Sequence, residues 1–294
     1  MPLSRMRWVW LARIIGVLLA AATLAACSTL KLAYNNLPEL SYWWLDAYLD
    51  FDGAQTPRVR DDLAELLAWH RRHELPRLVE LLRRAQALAP EDVTTKQTCE
   101  FADQIRERLL AVAVQAEGPG TGLALSLGEA QLQHLERKYA RNDAEYRKEW
   151  LEGGPARWQE KRYERLLERN EDFYGRLEPA QREMLKQQVA QSAFDPHAFD
   201  AERRRRQQEV LGLLRRFQAE RTPPAEARAA IHAYVLRVAD PPPGPWRDRQ
   251  QALQQEGCRN LAALHNRTSA AQREQAARRV RAYERDLREL FAEH

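Results

Sequence analysis

The stretch LQHLERKYARNDAEYRKEW, Leu132 to Trp150, decides the fold class. Its apolar residues Leu132, Leu135, Tyr139, Tyr146 and Trp150 fall on one face of a 3.6-residue repeat, and charged residues fill the rest. A half-buried strand needs apolar and polar residues in alternation, and no stretch of this chain alternates in that way. The helical stripe recurs at Tyr163, Leu166, Leu167, Phe173 and Tyr174, and again at Val210, Leu213, Leu214 and Phe217. Beyond residue 26 the only isoleucines are Ile105 and Ile231, while Ala, Leu, Arg, Glu and Gln, all good helix formers, dominate. The expectation is an all-α fold, an irregular bundle of roughly eight to ten helices.

Breaks between helices are legible from backbone chemistry. Gly118-Pro119-Gly120 ends one helix pair, Gly153-Gly154-Pro155 separates two more helices, and Thr222-Pro223-Pro224 starts another. The run DPPPGPW, Asp240 to Trp246, is the strongest loop, because consecutive prolines remove backbone donors. None of these breaks is long enough for a flexible linker, so residues 27–294 read as one helical domain.

The first 26 residues read as a targeting segment. Arg5 and Arg7 form a positive flank, and the apolar run Ile14 to Ala26 is short for a membrane-spanning helix. The tetrapeptide Leu24-Ala25-Ala26-Cys27 resembles the lipobox of bacterial lipoproteins. That resemblance implies a signal peptide over residues 1–26, cleavage before Cys27, and a diacylglyceryl group on the Cys27 thiol, with palmitate-type chains. Two or more acyl chains anchor a protein effectively permanently. The alternative is an uncleaved anchor helix with an incidental cysteine. Ser28 stands where, in such lipoproteins, Asp retains the protein at the inner membrane. The expected location is therefore the outer membrane, facing the periplasm.

Without the targeting segment, which carries Arg5, Arg7 and Arg13 and no acids, 43 basic residues face 42 acidic ones. The basicity of the whole chain is mostly its signal, and nucleic acid is not an expected partner. Cys99 and Cys258 remain once Cys27 is assigned to the anchor. An even pair in an oxidising compartment reads economically as a disulfide, the alternative being two buried thiols. Closing so long a loop would stabilise by at most about 5 kcal/mol.

Ala-Gln stands near the start of a predicted helix at 54–55, 130–131, 180–181 and 271–272. Three residues before each Gln lies Asp52, Gly128, Glu178 or Ser269, and Phe51, Leu127 and Leu177 precede three of these. Asp52/Gln55 and Ser269/Gln272 have capping-box spacing, and Ser126/Glu129 offers another box near Gln131. The main reading is recurrent helix-start chemistry. The pattern also resembles the Leu-Thr-x-x-Gln repeat of small helical periplasmic chaperones, with the Thr position changed to Asp, Gly, Glu or Ser.

No catalytic constellation emerges. His70, His73 and Glu74 share a helical face in WHRRHELP, but neither zincin order is present, and Arg71 and Arg72 add positive charge beside a would-be cation. Solvated or ion-paired histidines are the expectation, with no metal and no cofactor. Glu202 to Arg206, ERRRR, spreads its charge around a helix and reads as a solvated face. No nucleophile stands with a base and an orienting group, and no Gly-rich phosphate loop is present, so the chain is not expected to be an enzyme.

The stretch YNNLPELSYWWLDAYLDFD, Tyr34 to Asp52, holds six of the chain's 24 aromatic residues. Pro38 fits the first turn of a helix running to about Asp50. On it Leu37, Leu40, Trp44, Ala47, Tyr48 and Phe51 make one stripe, and Tyr42, Leu45 and Leu49 make a second. Glu39, Asp46 and Asp50 give an acidic strip, where a helix lying on anionic lipid would carry Lys and Arg. The expectation is burial against the following helices with part of the surface left for a partner, Trp44 inside and Trp43 at the acidic edge.

The mature chain resembles an uncharacterised family of proteobacterial envelope lipoproteins. The similarity is carried by KLAYNNL, WWLDAYLDFD, LAWHRRHELPRL, QTCEF, RYERLLERNEDFYGRLEPAQ and CRNLAALHNRTSAAQREQAARRVRAYERDL. It implies an all-helical periplasmic body with an acylated N-terminus and transfers no activity. Together these readings suggest a non-enzymatic lipoprotein that binds another envelope component, held to the membrane by its N-terminal lipid. A holdase-like periplasmic chaperone is the alternative.

Overall fold

Helix formation accounts for every regular element in the computed structural model, which describes residues 30–292. Residues 30–35 are helical and lead into α1 (Leu37–Leu49), α2 (Gln55–His73), α3 (Leu75–Leu88) and α4 (Thr95–Gln115). Next come α5 (Glu117–Ser126), α6 (Glu129–Tyr146), a π-helical turn (Arg147–Leu151) and α7 (Gly154–Tyr174). The described residues continue with α8 (Pro179–Ala190), α9 (Pro196–Glu220), α10 (Pro224–Ala239), α11 (Pro245–His265) and α12 (Ala270–Ala292). The all-α expectation holds for the described residues. Besides the helical segment at residues 30–35 there are twelve α-helices and the π turn among them, more than the roughly eight to ten read from periodicity.

The additional helices arise where a single residue interrupts a continuous apolar pattern. Between α2 and α3 the break falls at Glu74, two residues before Pro76, which has no N–H to continue the ladder. Between α4 and α5 it falls at Ala116. Gly118-Pro119-Gly120 therefore does not end a helix pair; it lies in the opening turns of α5, where a missing backbone donor costs little. Helix α1 follows its local signals closely: Pro38 sits in the first turn, and Asp50 closes the helix in the left-handed conformation (φ 51°) with its N–H on the Asp46 carbonyl at 2.8 Å. Gly153 and Gly154 take φ of 97° and 71° after the π turn, a conformation that side chains oppose.

The packing order is nested. α7 packs on α8, α6 on α9, α5 on α10, α4 on α11 and α3 on α12, so the chain folds back on itself about the α7–α8 hairpin. α1 lies outside this series against α2 and α6. Cys99 and Cys258 form a disulfide across the α4–α11 rung with α-carbons 5.2 Å apart, within the ordinary bonding range. Beside it the Thr98 hydroxyl donates to the Cys258 carbonyl at 2.9 Å.

Two apolar clusters fill the ends of the nested series. Near the chain termini Tyr34, Leu75 and Leu290 are buried together, with Leu67, Leu78 and Leu287 packed around them. Lys31 pairs there with Glu289. Near the fold-back, Tyr174, Leu177, Leu185, Leu264 and Ala276 form a closed cluster flanked by Phe173 and Met184. Residues 1–26, Cys27 and Ser28, on which the signal-peptide and acylation readings fall, lie outside the described residues. No helix among the described residues is long and apolar enough to cross a membrane.

Candidate functional site

The four helix-start glutamines come together in two pairs. Each uses its side-chain oxygen to accept the backbone N–H three residues earlier: Asp52 to Gln55 at 3.1 Å, Gly128 to Gln131 at 3.0 Å, Glu178 to Gln181 at 2.8 Å and Ser269 to Gln272 at 2.9 Å. Each then extends its amide nitrogen across to a partner. Gln55 and Gln131 donate to each other at 3.2 and 2.7 Å, and Gln181 and Gln272 do so at 2.8 and 2.9 Å. The same nitrogens also reach carbonyls at the partner's helix junction: Ser126 for Gln55, Leu49 for Gln131, Arg267 for Gln181 and Arg176 for Gln272. One side chain thus satisfies an orphan helix donor and ties down a second turn, which a lone capping box cannot do. Ser126 is not a helix cap: its hydroxyl donates to the Leu123 carbonyl and accepts from Gln55, and Gly128 occupies the position before α6.

Beside the Gln55–Gln131 pair lies an open cavity of about 580 Å³ between α1, α5, α6, α9, the later part of α10 and the start of α11. This is within the size range of sites for small molecules. Its wall is mostly apolar, supplied by Leu45, Leu49, Leu123, Leu135, Val210 and Leu214, with Tyr48, Tyr139, Phe199, Tyr234 and Trp246 adding aromatic surface. Burial pushes Tyr139 up to about 12 and raises Tyr234 as well, so both phenols stay neutral.

Charged groups at the cavity already have partners. Arg203 pairs with Asp143 at 2.9 Å and with Asp200, and Arg206 pairs with Glu202 at 2.7 Å. Arg205 also holds Glu202 at 2.7 Å, and hydrogen bonds from Arg205 and then Arg206 keep that carboxyl below its usual range. Asn142 donates to the Tyr48 hydroxyl at 2.8 Å, and Gln207 donates to Asp143 at 3.1 Å. The arginine run is therefore a solvated face only in part: Arg204 and Arg205 are exposed, and Arg203 and Arg206 are drawn inward onto carboxylates of α6 and α9. The cavity presents apolar surface and neutralised charge, and its lining contains no His, Cys, Ser, Thr or Lys.

A second cavity, of about 380 Å³, lies beside the Gln181–Gln272 pair among α3, α4, α7, α11 and α12. Tyr174 and His265 sit in its wall with the Tyr174 hydroxyl 3.0 Å from His265 Nδ1. His265 Nε2 is 2.9 Å from the Glu91 carbonyl, which only an Nε2–H can satisfy, so Nδ1 accepts from the phenol. Burial lowers the His265 pKa, in agreement with a neutral ring.

The His70, His73 and Glu74 face is dispersed. The His70 Nδ1 atom is 2.8 Å from the Tyr34 hydroxyl, His73 lies against Trp69, and fully buried Glu74 pairs with Arg77 at 2.9 Å. Among the described residues no group of three or more His, Cys, Asp or Glu is placed to hold a metal ion.

On α1 the expected burial of Trp44 does not hold, while Trp43 is exposed as expected. Trp44 is 61% exposed and Trp43 60%, with Leu37 and Leu40 exposed beside them. Tyr42 is buried, its ring under the Arg60 guanidinium at 4.3 Å and its hydroxyl 3.1 Å from Thr56 Oγ1. Of the two apolar stripes, the one that packs contains Tyr42, and Trp44 stands on the rim of the larger cavity. Helical periodicity identifies both stripes; it contains nothing to choose the one that α2 will cover.

A family profile described as a family of unknown function (DUF6279) matches residues 47–223. No curated protein matches the chain. No solved structure matches it either.

Proposed function

The chain belongs to the DUF6279 family, whose function is unknown, and we propose that it is a non-enzymatic binding component of the proteobacterial cell envelope. In this reading acylation of Cys27 tethers it to the outer membrane on the periplasmic side, and the α1–α6–α9 cavity receives an apolar, uncharged part of its ligand or partner. The observation that carries the reading is a cavity of about 580 Å³ walled by aliphatic and aromatic side chains, with its charges already paired. Burying apolar ligand surface there returns about 25 cal/mol per Å², while an incoming ion would have to compete with existing ion pairs.

The test is binding of a fluorescent long-chain alcohol to the full chain, with Ala124→Trp as the cavity-filling control. The expected result is saturable binding by the wild type and none by the variant, with thermal unfolding of the two unchanged. Equal binding by both, or none by the wild type, would refute the cavity as the site.

The holdase reading is favoured by one observation, the arrangement of the four glutamines in reciprocal pairs, since they carry the resemblance to the periplasmic chaperones. It requires the full chain to slow aggregation of an unfolded client at near-stoichiometric ratios. Failure at that ratio would remove it.

A further inference from the structure

The outer side of the N-terminal helical segment is an apolar row without a cover. Leu32 is 65% exposed and Leu40 55%, and with Leu37, Trp43 and Trp44 they extend along the segment from its start into the middle of α1. Tyr34 and Tyr42 point the other way and are buried. Exposed Asn35 and Asn36 separate Leu32 from the others; scattered exposed leucines need no explanation, but Leu37, Leu40, Trp43 and Trp44 exposed together on α1 mark an interaction surface.

The acids of α1 oppose a lipid surface less than their sequence positions suggest. Glu39 is paired with Arg60 at 3.2 Å. Asp46 accepts the Phe51 backbone N–H at 2.9 Å, turned toward the end of its own helix. Asp46 keeps its charge and Asp50 at the end of α1 is exposed, so the flank is mildly acidic, which suits a bilayer of zwitterionic headgroups and opposes a strongly anionic one. Trp is also the side chain most at home at the boundary between headgroup and acyl chain.

The length of chain before the row selects the occupant. Cys27 is five residues from Leu32, a span of at most about 18 Å even when fully extended. A chain acylated at Cys27 thus holds the start of the row within reach of the lipid. We infer that α1 lies along the surface of the bilayer to which Cys27 is anchored, with Leu37, Leu40, Trp43 and Trp44 seated among the headgroups. This inference rests on the acylation proposed above. Seating the row also brings the cavity rim at Trp44 to the membrane, so an apolar ligand enters the cavity from lipid without crossing water.

The experiment uses the full mature chain reconstituted in phosphatidylcholine–phosphatidylethanolamine vesicles whose acyl chains are brominated near the headgroup. Brominated lipid should quench part of the tryptophan emission. Trp43→Phe/Trp44→Phe should lose most of that quenching, and Leu37→Gln/Leu40→Gln, which keeps both indoles, should weaken it. No quenching in the wild type, or equal quenching in the Trp43→Phe/Trp44→Phe protein, overturns the inference. The mass of the mature N-terminus separates the two claims: an acylated Cys27 without quenching sinks only the seated helix, and an unmodified Cys27 sinks the anchor on which it rests.

Discussion

The Gln55–Gln131 and Gln181–Gln272 pairs are one device used twice, and the regions behind them differ. In the later pair Gln181 is 2% exposed, and Leu177, Tyr174 and Leu264 close behind it with almost no solvent contact. Behind the earlier pair, Leu127 and Leu135 are buried but look into an open cavity, and Trp44 stands half in solvent at its rim. The same hydrogen bonds stand against a tightly buried cluster beside a cavity of about 380 Å³ in one place and frame the wall of a larger open cavity of about 580 Å³ in the other. Clasping two helix starts together is therefore a scaffold decision; whether the result is core or site depends on the side chains that the neighbouring helices bring.

Truncating one leucine in each region should give the largest contrast. Leu177→Ala leaves a void in a closed cluster and should cost about 3 kcal/mol, whereas Leu214→Ala enlarges a cavity that is already open and should cost about 1 kcal/mol. Urea unfolding of the two variants measures both, and equal costs would mean that the cavity is as tightly packed as the core. Cutting each clasp comes next. Gln181→Ala removes one partner of the buried Gln272 amide together with the acceptor of the Glu178 N–H and the donor to the Arg267 carbonyl, and should cost about 2 kcal/mol, while water can reach the half-buried Gln131 when Gln55→Ala removes its partner, so about 1 kcal/mol is expected there. Chemical denaturation again decides, and a larger loss from Gln55→Ala would reverse the order of the two regions.

The smallest effect is that of pH. Burial lowers the pKa of His265, and that of His70, below the ordinary histidine value. Between the folded and unfolded pKa values the unfolded chain binds more protons, so stability rises with pH there. Stability should be at its plateau above about pH 6.5, the unfolded histidine pKa, and should decline as the solution is acidified below it. Thermal melts of wild type and His265→Gln from pH 7.5 to 5 should show the shallower decline in the variant. Identical slopes would assign the decline to groups other than His265.

Much of the helical architecture was open to reading from single residues. Pro38, the Gly153-Gly154-Pro155 break and Pro224 mark helix starts through backbone chemistry, which acts over a few residues. The glutamines were visible as helix-start residues, but their pairing depends on turns 76 and 91 residues apart, beyond any local pattern. Counting cysteines singled out Cys99 and Cys258; the approach of α4 to α11 that joins them is a tertiary fact. The cavity was not legible at all. Its apolar wall is made of ordinary stripe residues such as Leu135, Val210 and Leu214, and a stripe says that a face avoids water without saying that a neighbour fills it. Trp44 was misplaced for the related reason that α1 has two such stripes.

The nested order of packing has a consequence for how the chain acquires its shape. Tyr34 and Leu75 are completed by Leu290, and α3 finds its main neighbour in α12, the latest of the described helices in chain order. Assembly can begin at the α7–α8 hairpin, whose contacts are close in sequence, and close outward like a zip toward the two termini. Until α12 is in place the early helices keep exposed apolar surface, a period in which such a chain is open to aggregation. The α4–α11 disulfide falls partway along this closure, where it would capture the inner rungs and leave the outer one to follow.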